Sequence, residues 1–236
     1  MLSQIKTLFI QQIKANWITI VFIMTVLSLV FGFVFALHTW EGVPFKNLTI
    51  DVSIIASEPP YIGFLSQLGL LVWSATVSIC LLGASLIYYK DKTSESLFFL
   101  VTAGLLTSLL TLDDAFLFHE KVLPHIGIPE LMVYLSYGGF LLFFLIRFHW
   151  FILGQTDFLL LGIALFFFAA SVSTDTFSPF GINEYVLEDG SKFAGIAAWF
   201  FYFLQTCRKL LIKTFSLSPT VLYSFDNKEE IETMDS

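Results

Sequence analysis

Two adjacent carboxylates, Asp113 and Asp114, fall near the end of the run "SLFFLVTAGLLTSLLTLDDAFLFHE", and His119 and Glu120 complete it. Carboxylates beside an imidazole are the usual materials for proton transfer or for holding a divalent cation. Further acids recur downstream: Asp175 in "AASVSTDTF", then Glu188 and Asp189 ahead of Lys192 in "EYVLEDGSKFAGI". Set together, Asp113, Asp114, Glu120, Asp175, Glu188 and Asp189 face only Lys192 and, once protonated, His119. Such an acid surplus in a partly desolvated place is held by protonating carboxylates or by binding a cation.

The chemistry this set supports is metal-assisted. Asp113, His119, Glu120 and Asp175 are the candidate ligands. Oxygen-rich ligation with an imidazole suits Zn, Mn or Fe, and Mg or Ca if the histidine stays out. A bound metal would activate water while a free carboxylate among Asp113, Asp114 and Glu120 served as base. Glu188, Asp189 and Lys192 are then charge partners. Simpler roles exist for each group. Glu188 or Asp189 near a helix start suits the helix dipole, and Glu188 to Lys192 is an i, i+4 pair. Asp175 beside Ser173 and Thr174 can bond its own backbone.

The aspartate pair is harder to explain as surface decoration. Neighbouring positions on a helix point about 100° apart, so Asp113 and Asp114 are expected to serve different partners. Asp113 and Glu120, seven residues apart, would share a face of an unbroken helix, with His119 about a third of a turn away. One continuous helix therefore does not supply a chelate. A site requires other helices or a break before Pro124.

The elements that carry these groups are set by composition. Of 236 residues, 56% are hydrophobic and 13% charged, which is about half the charge of an ordinary soluble domain. A soluble fold of this size leaves about a third of its unfolded chain's surface in water, too much for so apolar a chain. Lipid is the fitting solvent. The expected fold is all-α, a polytopic bundle of six transmembrane helices near 17–37, 64–88, 97–117, 130–148, 157–176 and 191–212. Residues 1–16 read as an amphipathic cytoplasmic lead-in, 17–213 as one transmembrane domain, and 214–236 as a disordered acidic tail.

Orientation follows from the basic residues. Six spans place Lys6, Lys14, Lys90, Lys92, Arg147, Arg208, Lys209, Lys213 and Lys228 on the side of the termini, and only Lys46, Lys121 and Lys192 opposite. Both termini are therefore expected in the cytoplasm. A helix entering the hydrocarbon at Leu97 reaches Asp113 after about 24 Å and Glu120 after about 35 Å, against a core of about 30 Å. The acids, the histidine and Lys192 thus fall in one outer polar layer.

Partners implied are the bilayer and either a lipid-like substrate or a membrane protein complex. No phosphate-binding loop, nucleophile elbow, dinucleotide fingerprint or basic nucleic-acid patch occurs. Cys80 and Cys207 read as packing residues, and the 28 phenylalanines as lipid-facing bulk. The expected function is a lipid-directed hydrolase or transferase with a metal or cation in the outer layer. The alternative is a non-catalytic accessory or assembly protein whose polar layer staples helices, and a third is proton or cation transport.

Overall fold

A chain with long apolar runs and no alternating pattern satisfies its backbone hydrogen bonds most simply by coiling into helices. In the computed structural model, which describes residues 2–49, 55–59, 61–177 and 184–216, this is what occurs. All regular structure among the described residues is helical. The chain divides into two compact units, Met1–Ile62 and Gly63–Ser236.

The first unit contains α1 (Leu2–Trp40) and the short α2 (Phe45–Thr49). Residues of the expected lead-in continue into the first span without interruption, since no Gly or Pro separates them. The turn after α1 is tied by His38, whose Nδ1–H donates to Val43 O at 2.9 Å while its ring stacks on Phe45 at 3.9 Å.

The second unit contains α3 (Phe64–Lys90), α4 (Glu95–Phe116), α5 (Glu130–Arg147), α6 (His149–Gln155), α7 (Phe158–Phe177) and α8 (Glu184–Phe215). Between α4 and α5 the chain makes a π-helical turn, Phe118–Val122, and one α turn, Leu123–His125. The segment Asn16–Trp40 of α1, with α3, α4 and α5, is long and apolar enough to cross a membrane. The apolar stretch of α7, Phe158–Thr174, is shorter. In α8 the uncharged middle, 193–207, lies between Lys192 and Arg208.

Consecutive long helices of the second unit alternate in direction. Glycine contacts set the register: a Cβ on Gly83 would meet Leu100 Cδ1 at 3.2 Å and one on Gly104 would meet Leu81 Cδ2 at 2.9 Å, so α3 and α4 run antiparallel. Gly69 lies against Ile196 and Gly83 against Cys207, so α3 and α8 run parallel. Gly195 lies beneath the Phe168 ring, holding α7 close against α8. Small residues let helix backbones approach, which is how helices associate when surrounding lipid removes the hydrophobic drive.

The core is aromatic. Phe99 packs against Phe144, Phe148, Phe151 and Phe203 with ring centroids 4.7 to 6.0 Å apart. Trp73, Phe168 and Trp199 form a second group. Phenylalanine is thus not only outward bulk: Phe99, Phe144 and Phe203 are fully buried, whereas Phe22, Phe31 and Phe166 are among the most exposed. Cys80 and Cys207 are buried and unbridged, as packing residues should be.

Candidate functional site

The aspartates end α4 in different ways. Leu117, the residue that closes the helix, has a left-handed φ of 53°. That conformation costs a leucine about 1 to 2 kcal/mol and persists only where surroundings enforce it. Here Asp113 enforces it. Its Oδ1 accepts the backbone N–H of His119 at 2.9 Å, capping the π-helical turn, and its Oδ2 accepts the ring Nδ1–H of His119 at 2.5 Å. The hydroxyl of Tyr137, on α5, donates to Oδ1 at 2.9 Å. Three donors therefore converge on one carboxylate from two elements.

Both ends of this arrangement are buried, with Asp113 6% and His119 8% exposed. Tyr134, one turn before Tyr137, covers the imidazole with its ring 5.2 Å away. An ionised carboxylate only accepts, so the proton facing it belongs to His119 Nδ1. The hydrogen bond it donates to Asp113 holds His119 above its ordinary pKa. Desolvation and Lys192 oppose this, while the charges of Asp113 and Glu120 reinforce it. The Nε2 of His119 faces Glu120 Oε1 at 3.5 Å, and that carboxylate is half-exposed.

Asp114 points to another partner, as its phase on the helix requires. Lys192 in the third turn of α8 donates its ammonium to Asp114 Oδ1 in a short ion pair. Seven residues along both helices, Trp199 Nε1–H donates to Thr107 Oγ1 at 3.1 Å. These two contacts form parallel rungs between antiparallel α4 and α8. Beside the upper rung is a cavity of about 20 Å³ lined by Ser66, Gly69, Asp189 and Phe193 among others. Its volume suits one water.

Of the residues singled out by sequence, Asp113, His119 and Glu120 lie together, and Asp114, Lys192 and Asp189 form an adjoining set. Asp113 and Glu120 do not share a helix face, because α4 ends at Phe116 and the π-helical turn redirects the chain beyond it. Glu188 is half-buried on α8. Asp175 belongs to α7, but its side chain lies outside the described residues. Among the described residues, no group of three or more His, Cys, Asp or Glu side chains is placed to hold a metal ion.

Residues 18–206 match the model of a family described as a domain of unknown function, DUF8692. The chain belongs to that family. No curated protein and no solved structure matches it. The matched segment includes every member of the polar set from Asp113 to Lys192, together with Thr107 and Trp199.

Sequence reasoning did not single out Tyr137, Thr107 or Trp199 as members of the site. Tyr137 and Thr107 are polar groups within apolar helices, and a buried tyrosine O–H or tryptophan N–H calls for an acceptor. Asp113 and Thr107 are those acceptors.

Proposed function

We propose that this chain is an integral membrane protein crossing the bilayer six times with both termini cytoplasmic, and that its outer polar layer is a structural staple. On this reading it serves as an accessory or assembly component within the membrane. Asp113 carries the reading: both of its oxygens are occupied by donors from its own chain, so the residue best placed for catalysis or ligation is already spent on holding α4, the π-helical turn and α5 together. The Asp114–Lys192 pair adds α8 to the same layer. Buried acid–base pairs of this kind fix packing and register without any reaction.

Helix direction supports the topology. Alternation of α3, α4, α5, α7 and α8 collects Lys90, Lys92, Arg147, Arg208, Lys209 and Lys213 at one end of the second unit and Lys121 and Lys192 at the other. Lys192 and Lys213 are separated along α8 by about 31 Å, close to the hydrocarbon thickness of a bilayer.

A second reading retains metal chemistry directed at a lipid-like substrate. One observation favours it: a histidine whose Nδ1–H rests on a carboxylate is oriented as metal-ligating histidines are, leaving Nε2 for the cation. Glu120 would then be its nearest companion, and Asp113 an orienting residue rather than a ligand.

Metal content and thermal unfolding of the detergent-purified chain separate the two readings. The staple predicts no stoichiometric divalent metal in the wild type and a loss of about 3 to 5 kcal/mol in Asp113→Asn, which leaves its partners stranded. Stoichiometric metal that disappears in Asp113→Asn, with melting little changed, would replace the staple by the metal site.

A further inference from the structure

At the end of α8 opposite the polar layer, a cleft of about 400 Å³ opens between that helix and α6, lined by Trp150, Gly154, Gln155, Lys209, Leu210 and Lys213. Lys209 and Lys213 are four residues apart and so lie on one helix face, where like charges repel. Among the described residues, only one of them is paired with a carboxylate. Lys209 Nζ donates to Asp157 Oδ1 at 2.6 Å, whereas Lys213 Nζ donates to the neutral amide of Gln155 at 2.8 Å. Among the described residues, the two ammonium groups of the cleft thus have one carboxylate between them, that of Asp157. Trp150, 77% exposed, forms an aromatic wall, and Leu210 is apolar.

We propose that this cleft binds the phosphate of an anionic phospholipid headgroup, with Lys213 and Lys209 as the cations and Trp150 as the interfacial wall. The shared chemistry is a phosphate oxyanion, and two features favour a lipid as its source. The cleft is about 26 to 31 Å along α8 from Lys192, the distance that separates the two headgroup layers if the helix spans. Tryptophan beside lysine is also the pairing found where a protein meets the membrane–water boundary, and basic pockets between membrane helices on the cytoplasmic side hold anionic headgroups. The inference rests on the membrane-spanning reading. The family match ends at residue 206, so both lysines lie beyond it.

The test is native mass spectrometry of the detergent-purified full chain with phosphatidylglycerol or phosphatidylcholine. Phosphatidylglycerol should be retained preferentially. Lys213→Gln should weaken that retention about fivefold, the usual worth of one lysine near an anionic surface, and adding Lys209→Gln should weaken it further. Lys121→Gln removes the same charge away from the cleft and should change nothing. Equal retention of the two lipids, an equal loss in Lys121→Gln, or displacement of the lipid by inorganic phosphate would overturn the proposal. Alkaline carbonate extraction of expressing membranes separates the two levels of failure. A chain that is extracted sinks the spanning reading with the lipid site, whereas an embedded chain without lipid preference sinks the site alone.

Discussion

At His119 the effect of pH on stability has a definite sign. The imidazole gains a carboxylate partner on folding, which raises its pKa above the ordinary 6.5. A group raised in the folded state contributes stability that is complete below its unfolded pKa and is lost as pH rises through the folded value. The chain should therefore melt at a lower temperature as pH increases from about 6.5 through the raised pKa of His119. In His119→Gln that portion of the slope should vanish. Detergent melting curves across this window measure it, and equal slopes in wild type and variant would mean that His119 does not titrate with folding. This coupling was only partly legible in the sequence. The composition of the layer could be read, and so could the need for Asp113 and Asp114 to part. The return of His119 onto Asp113 could not, because "DDAFLFHE" contains no Gly or Pro to mark the left-handed turn at Leu117. A side-chain cap made that turn, and caps depend on geometry that spacing alone does not reveal.

Between elements, the closest approach is made by glycines. A methyl group on Gly83 would stand 2.3 Å from the sulfur of buried Cys207, whose short side chain has little room to retreat. Gly83→Ala should cost about 1 to 3 kcal/mol from overpacking, outweighing the gain of up to about 1 kcal/mol in helix propensity. Gly138→Ala is the matched comparison. Nothing lies within 4 Å of its new methyl, so the propensity gain should appear undiminished. Chemical or thermal unfolding of the two variants checks the contrast, and a Gly83→Ala protein as stable as wild type would mean α3 and α8 are not in close contact. Apolar run length located α3, α4 and α5 to within a few residues because, apart from Asp113 and Asp114, these runs carry charge only at their ends. It said less about partners. Which glycine meets which helix depends on crossing geometry, and which phenylalanines turn inward depends on neighbours far along the chain.

At the scale of the whole molecule, alternation of helices predicts which loops share a side. Thr93→Cys and Ile128→Cys, each in a background with Cys80 and Cys207 replaced by serine, should label from opposite faces of the membrane, Thr93 from the cytoplasm. Labelling of both from one face would remove a span between them. The staple itself is tested most directly by a double-mutant cycle on Asp114 and Lys192, followed by thermal unfolding in detergent. Lys192→Met alone should destabilise, because it leaves the mostly buried Asp114 carboxylate without its cation. Adding Asp114→Asn should recover part of that loss, giving a coupling of about 1 to 3 kcal/mol. A Lys192→Met protein that melts with the wild type, or losses in the two single variants that simply add, would contradict a layer that holds α4 and α8 together.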